Sequence, residues 1–102
     1  MATEWFVIVN PNAGKRKGQH DWLSIARLLN EAGIQFINIF TERRDHAVQL
    51  SRRYIEKGFR NIIVVGGDGT LNEVVNGIFT QNAIAPSEIR LGMIPVGTGN
   101  LS

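Results

Sequence analysis

A β-branched run, Ile62 to Val65, leads directly into Gly-Gly-Asp-Gly-Thr-Leu-Asn-Glu at positions 66 to 73. The run predicts a buried strand, and the glycines allow the backbone to turn sharply and to approach a bulky group. Apolar residues then recur with the spacing of one helix face: Leu71, Val74, Val75, Ile78 and Phe79. Because a helix N-terminus presents free N–H groups and a positive dipole end, we expect an anion site here, with phosphate as ligand.

Asp68 lies in this turn and would place a carboxylate beside the same anion. Two like unit charges ~4 Å apart repel by about 4 kcal/mol at an effective dielectric of about 20. A bridging cation such as Mg²⁺, or a hydroxyl that donates to the carboxylate, would relieve this repulsion. The pattern therefore favours phosphoryl transfer over passive nucleotide binding. A simple turn role for Asp68 is the alternative, and the capping-box spacing of Thr70 and Glu73 favours a structural role for those two residues.

The composition is typical of a soluble globular domain, and the chain contains no cysteine. The 102 residues suffice for one domain, and 43% hydrophobic with 20% charged residues excludes general disorder. Without cysteine, disulfides and thiolate metal sites are excluded. A net charge of +2 is too small to favour nucleic acid as a partner. Two basic clusters, Lys15 to Lys17 and Arg43-Arg44, fall in predicted loops beside strand ends, where they could meet phosphates.

Strand and helix patterns alternate along the chain. We predict strands at 4–10, 34–40, 61–65 and 91–96, and a polar loop at 11–18 before a first helix that Gly33 ends. Asp45 is the predicted N-cap of a second helix, which ends at Gly58, and the third helix follows the glycine turn. This order predicts an α/β fold: an open three-layer parallel sheet with helices on both faces. Such sheets bind ligands at the carboxyl ends of their strands, where the unusual residues of this sequence concentrate.

Neither of two common phosphate-binding patterns fits. The segment Asn10 to Lys15 fails the Walker A pattern, because Val9 stands at the first glycine position and Arg16 follows the lysine. The segment that begins at Gly67 fails the dinucleotide fingerprint, because Asn72 stands at its last glycine position. A Rossmann dehydrogenase is therefore disfavoured.

Three ordered motifs instead carry a specific resemblance. Asn10-Pro11-x-Ala13-Gly14, the segment Gly66 to Glu73, and Pro95-x-Gly97-Thr98-Gly99-Asn100 resemble the catalytic domain of the diacylglycerol kinase family, which includes bacterial soluble lipid kinases, sphingosine kinases and ceramide kinases. The resemblance covers essentially the whole chain. The Gly-Gly-Asp-Gly core alone is shared with NAD kinases and phosphofructokinases, so the other two motifs give the resemblance its specificity.

The resemblance implies transfer of the ATP γ-phosphoryl group to a lipid hydroxyl, of the diacylglycerol type, assisted by Mg²⁺. Asp68 would organise metal and phosphate, with the metal held indirectly through water or phosphate. Thr41 and His46-Ala47 resemble a less strict family segment near the nucleotide, in which Asp45 replaces a common glycine. The implied nucleotide-binding residues are Asn10, Pro11, Gly14, Thr41, Gly66, Gly67, Asp68, Gly69, Thr70, Glu73, Gly97, Thr98 and Asn100.

In the resembled family a second, β-rich domain follows and supplies the acidic residues that activate the lipid hydroxyl. We therefore expect residues 1–102 to be a truncated amino-terminal nucleotide-binding domain of a cytoplasmic enzyme that meets its lipid at a membrane surface. Alone, it should bind ATP weakly, phosphorylate no lipid and self-associate through exposed apolar surface. Two alternatives remain open: an NAD kinase-like enzyme and a non-catalytic nucleotide-binding module.

Overall fold

A computed structural model describes residues 4–96, without the side chains of residues 15–19. The strands within this range are β1 (Trp5–Val9), β2 (Phe36–Phe40), β3 (Asn61–Gly66) and β4 (Arg90–Pro95). The helices are α1 (Ala13–Glu31), α2 (His46–Glu56) and α3 (Asp68–Thr80), and a single 3-10 turn, Pro86–Glu88, precedes β4.

All strand pairs are parallel, and the sheet order is β2-β1-β3-β4. Val9 at the end of β1 pairs with Phe40 of β2 and with Val65 of β3, and Gly66 pairs with Pro95 of β4. The carboxyl ends of the strands therefore align at one edge of the sheet. The predicted open parallel sheet is confirmed.

Two apolar cores lie on opposite faces of the sheet, because side chains alternate between the faces along each strand. The core under α2 and α3 contains Phe6, Ile8, Ala47, Leu50, Ile55, Ile62, Val64, Val74 and Ile78. The core under α1 contains Val7, Val9, Ala13, Trp22, Leu29, Ile63, Val65 and Val96. Since β1 and β3 contribute to both cores, they are the buried central strands, as continuous apolar runs predict. The helices on both faces are also confirmed.

Helices α2 and α3 pack in close contact at Gly77. A Cβ atom at this position would lie 2.8 Å from the carbonyl oxygen of Val48 and would overlap the hydroxyl of Ser51. That hydroxyl is fully buried and donates to the carbonyl oxygens of Ala47 (2.9 Å) and Val48 (3.0 Å). The absence of a side chain at Gly77 therefore lets α3 rest directly on the backbone of α2.

Two predicted boundaries were wrong. Helix α1 begins at Ala13, so the predicted loop at 11–18 is mostly helical, and the cluster Lys15 to Lys17 lies in α1. Lysine and arginine favour helices, and the left-handed φ of Gly14 (58°) accommodates the entry into α1. Strand β2 begins at Phe36, because Ile34 still donates its N–H to Leu29 at the end of α1 (3.0 Å).

Candidate functional site

A polar cleft of about 460 Å³ opens at the carboxyl edge of the sheet. It lies between the segment after β1, the β2–α2 loop (residues 41–45) and the first turns of α3. Its lining residues are Asn10, Asn12, Thr41, Glu42, Arg43, Arg44, Gly69, Thr70 and Glu73.

The floor of the cleft is held by a hydrogen bond from Asn10 to Thr70. The Asn10 backbone N–H donates to Val65 (2.8 Å) and so continues the pairing of β1 with β3. The N–H of Asn12 donates to Asn10 Oδ1 (2.9 Å), which leaves Asn10 Nδ2 to donate to Thr70 Oγ1 (3.0 Å). A backbone N–H can only donate, so it fixes the orientation of the Asn10 amide. Thr70, which is only 7% exposed as a residue, thus accepts from Asn10 through its hydroxyl oxygen, and the hydroxyl proton is left for another acceptor.

Gly66 makes this contact sterically possible. A Cβ atom there would lie 3.1 Å from Thr70 Oγ1 and 3.3 Å from Asn10 Cβ. Both distances are tighter than ordinary van der Waals contact, so a larger residue would push the two partners apart. The lack of a side chain at Gly66 therefore allows the end of β1 and the first turn of α3 to pack closely against β3.

Gly67 and Gly69 differ from Gly66, because neither is required by the chain's own packing. A Cβ atom on either would meet nothing within 4 Å. Gly67 is the N-cap of α3 with an extended backbone (φ −108°, ψ −168°), which other residues also adopt. Gly69 lies within the first turn of α3 and faces the cleft. The space in front of these glycines is open to a ligand.

The N-terminus of α3 supplies backbone donors to this space. Leu71 is the first residue that bonds back within the helix, to Gly67 (3.1 Å). The N–H groups of residues 68–70 precede that bond and lie at the positive end of the helix dipole. This arrangement can bind an anion through the backbone.

The β2–α2 loop forms the opposite wall and is tethered by three backbone N–H groups. That of Thr41 donates to Val9 (2.8 Å), that of Glu42 to His46 Nδ1 (3.0 Å), and that of Asp45 to Glu73 Oε2 (3.2 Å). Asp45 adopts a left-handed backbone (φ 68°), which glycine takes without strain. The left-handed backbone explains why glycine, which is common at this position in the resembled pattern, would fit where this chain has Asp45.

Two arginines of the same loop bring positive charge to the cleft. Arg43 and Arg44 are both exposed and line the cleft beside Thr41. The Arg43 guanidinium donates to Gln49 Oε1 of α2 (2.8 Å), which holds it at this wall. The two acidic residues on the cleft, Glu42 and Glu73, equal these two cations in number, so the lining is formally neutral and the cations are concentrated at one wall.

A second groove, of about 520 Å³, continues from the cleft along the outer faces of α2 and α3. It shares Gly69 and Glu73 with the cleft, and its apolar end is Phe79, which is 69% exposed. The two concave surfaces therefore meet at the first turns of α3.

The structure brings together five of the residues that sequence analysis assigned to nucleotide binding: Asn10, Thr41, Gly69, Thr70 and Glu73. Gly66 lies beneath them and Gly67 caps α3, while Pro11 and Gly14 belong to the turn into α1 and do not line the cleft. Asp68 is exposed in the first turn of α3 and is not part of the cleft lining. The predicted residues Gly97, Thr98 and Asn100 lie outside the described range.

The capping box was wrong. Gly67 is the N-cap of α3, the Thr70 hydroxyl is bonded to Asn10, and Glu73 accepts from Asp45 instead of reaching back to the helix start. The N-cap position of Asp45 is confirmed, but its side chain makes no capping hydrogen bond. Asn12 also lines the cleft, and the sequence analysis did not predict it. It is exposed after the turn that follows β1, and no other feature distinguishes it.

Within residues 4–96, no group of three or more His, Asp or Glu side chains is arranged to hold a metal ion. Asp68 is the acidic residue of the first turn of α3 and so the carboxylate nearest the free N–H groups in sequence.

Among the helices of residues 4–96, none combines the length and the apolar character that a membrane crossing requires.

The fold and the cleft define a parallel α/β domain whose carboxyl edge carries a glycine turn, a helix N-terminus and a loop with two arginines. Residues 4–102 match the family described as the diacylglycerol kinase catalytic domain. The chain belongs to this family.

Solved and curated relatives agree with this assignment. The chain is similar to diacylglycerol kinases of Staphylococcus haemolyticus (39% identity) and Staphylococcus aureus strain MRSA252 (37%), over 92% of this chain and 27% and 29% of theirs. It is similar to the crystal structure of a diacylglycerol kinase from Bacillus anthracis, with a TM-score of 0.72 and 33% identity over 96% of this chain and 32% of that one. The chain thus spans about a third or less of the length of these relatives.

Proposed function

We propose that this chain is the nucleotide-binding domain of a lipid kinase. The kinase would transfer the γ-phosphoryl group of ATP, with Mg²⁺, to a hydroxyl of a diacylglycerol-like lipid at a membrane surface. The family and the names of the relatives support kinase chemistry and a lipid acceptor. The group that activates the lipid hydroxyl would come from a second domain, and residues 1–102 would supply the nucleotide wall.

The observation that carries the proposal is the Asn10–Thr70 hydrogen bond at the edge of open space. Because Thr70 Oγ1 accepts from Asn10, its O–H can donate to an oxygen of the ligand. The backbone donors at the start of α3 belong to the same first helix turn as Thr70, and a helix N-terminus of this kind can bind an anion. A phosphate is the ligand that suits donors from both the backbone and a hydroxyl.

The β2–α2 loop supplies two guanidinium groups on the opposite side of the cleft. Arg43 and Arg44 line it, and a guanidinium binds phosphate oxygens through two parallel N–H groups. The backbone donors of α3 would hold one part of a polyphosphate and the loop another. A nucleoside triphosphate has three phosphate groups and so could engage both walls at once.

Asp68 fits a role in holding Mg²⁺. In phosphoryl-transfer sites this ion keeps several waters and takes one or two carboxylates in addition to substrate phosphates, so a site with a single carboxylate on this chain is compatible with it. Mg²⁺ would neutralise the phosphate charge and lower the repulsion from the Asp68 carboxylate. Asp68 would hold it through water or phosphate, while the backbone donors of α3 bind the phosphates themselves.

Calorimetric titration of ATP into the 102-residue chain, with and without Mg²⁺, tests this function. We expect weak binding that requires Mg²⁺, and we expect Asp68→Asn to lose that dependence because the carboxylate is replaced by a neutral amide. Asp21→Asn, on α1 and away from the cleft, is the matched control. Binding that is indifferent to Mg²⁺ and to Asp68→Asn would favour a non-catalytic nucleotide-binding module instead, and phosphorylation of NAD by the full-length protein would favour the NAD kinase-like alternative.

Gly69→Ala separates ligand binding from folding. Alanine at this helical position should stabilise the chain by about 0.5–1 kcal/mol, because glycine is the weaker helix former and no neighbour opposes the methyl group. The same methyl group enters the cleft, so ATP binding should fall at least about tenfold. Urea denaturation and calorimetry of this variant measure the two effects. A variant that binds ATP as well as the wild type would contradict the placement of phosphate over α3.

A further inference from the structure

We propose that His46 is a positioning residue, which holds the β2–α2 loop in its binding shape through the N–H of Glu42. This inference rests on the proposed function, since it concerns the wall that carries Arg43 and Arg44. His46 itself does not line the cleft. It acts on the ligand only through the loop.

The imidazole of His46 is engaged as an acceptor. Its Nδ1 lies 3.0 Å from the backbone nitrogen of Glu42, four residues earlier, and the ring is half-buried. A ring nitrogen that accepts from a backbone N–H carries no proton, so the neutral ring holds its proton on Nε2. The backbone N–H of His46 donates back to Arg43 (3.2 Å). Two hydrogen bonds, one accepted from Glu42 and one donated to Arg43, therefore close the loop onto the first residue of α2.

This bond holds the backbone of Glu42, whereas the other tethers of the loop act at Thr41, Arg43 and Asp45. Thr41 is fixed to β1 at one end, and Asp45 is fixed to Glu73 of α3 at the other. Between them, Glu42 depends on the imidazole, and the two arginines follow it directly in the chain. Without the ring, Glu42 would lose this hydrogen bond, and the segment that carries both cations would depend on the tethers at Thr41, Arg43 and Asp45.

The consequence for binding is entropic. A loop that already has its bound shape loses little conformational freedom when the ligand arrives, whereas a loosened loop must be ordered at that moment. The Asp45 carboxylate adds nothing to this order, because it makes no capping hydrogen bond. The side chain that orders the backbone at Glu42 instead follows the loop, at the start of α2.

The first readout needs no ligand. Nitrogen-15 NMR of the histidine rings should find the Nε2–H tautomer at His46, and hydrogen exchange at the Glu42 amide should be slow in the wild type. His46→Ala should accelerate that exchange about tenfold or more, while core amides of β3 keep their protection. His46→Asn should restore slow exchange, because the Asn Oδ1 atom can occupy the position of Nδ1. His20→Ala, on the exposed face of α1, is the control and should change nothing.

The second readout is titration of Mg²⁺–ATP into the same variants. His46→Ala should weaken binding by about tenfold, while His46→Asn and His20→Ala should stay within about twofold of the wild type. A wild-type chain that binds no nucleotide would contradict the proposed function and this role together. Binding by the wild type that His46→Ala leaves unchanged, or unchanged exchange at Glu42, would contradict the role of His46 alone.

Discussion

The two walls of the cleft are built in different ways. The α3 wall is built by close packing: Gly66 and Thr70 are buried, and a missing side chain allows the contact between Thr70 and Asn10. The loop wall is mostly exposed, and its backbone N–H groups hold it through single hydrogen bonds to Val9, His46 Nδ1 and Glu73 Oε2. The comparison indicates that the fold itself fixes the α3 wall, whereas the loop wall can change shape or sequence without unfolding the chain.

The largest expected effect comes from Gly77, where α3, which carries one wall, packs against α2, which follows the other wall. Gly77→Ala places a methyl group against the Val48 carbonyl and the Ser51 hydroxyl, so α2 and α3 must separate. We expect a loss of about 3 kcal/mol in the free energy of unfolding, at the upper end of overpacking effects. Urea denaturation measures it, with Gly69→Ala in the same helix as control. A loss below about 1 kcal/mol would mean that the two helices can shift apart cheaply and that the walls are not rigidly joined.

Gly66→Ala tests whether the α3 wall is fixed by close packing. The added methyl group must displace Thr70 or Asn10 by a few tenths of an ångström, because its distances to them are 3.1–3.3 Å. We expect the free energy of unfolding to fall by about 1–2 kcal/mol. The NMR signals of the Asn10 side-chain amide should shift as its bond to Thr70 weakens.

Gly67→Ala is the matched control for that experiment, since its methyl group would meet nothing within 4 Å. It should leave the free energy of unfolding within about 0.5 kcal/mol of the wild type. Equal losses in both variants would indicate a general cost of replacing glycine in the turn, and the steric distinction between Gly66 and Gly67 would be lost.

The smallest effect is expected in the loop wall. Asp45→Gly removes the cost of a left-handed backbone for a residue with a side chain, and it also removes a carboxylate near the N-terminus of α2. We expect a net gain of about 0.5 kcal/mol in the free energy of unfolding, measured by urea denaturation. Asp45→Ala keeps the backbone strain and loses the charge, so it should be less stable than the wild type. A Gly variant less stable than the Ala variant would contradict this account of Asp45.

The sequence predicts the local features of the site but not the long-range hydrogen bonds that join its walls to the rest of the fold. The glycine turn and the strand before it are local features, since β-branched residues, glycines and an apolar helix face lie within one short segment. The hydrogen bond from Asn10 to Thr70 spans 60 positions, and that from Asp45 to Glu73 spans 28. Both depend on the strand order, which places β1 beside β3. Local patterns contain no information about that neighbourhood.

The start of α1 shows a second limit of local reasoning. Glycine, lysine and arginine between Gly14 and Gly18 are typical of an exposed loop, yet the backbone there is helical. Basic residues are good helix formers, and this segment can extend the helix outward from its apolar anchor at Trp22. The polar residues predicted an exposed segment. Whether that segment is loop or helix depended on the turn next to it, in which the Ala13 N–H donates to the Asn10 carbonyl oxygen.

The 60-residue separation of Asn10 and Thr70 has a consequence for folding. The cleft floor exists only after β3 has docked beside β1, a non-local step that pays a large loop-closure entropy. A partly folded chain with only β1, α1 and β2 in place has no cleft floor, so a ligand that needs it binds the native state alone. By mass action, such a ligand would raise the free energy of global unfolding, by about 2.7 kcal/mol at a hundred times its Kd. Occupancy of the cleft would therefore report that β3 has docked beside β1.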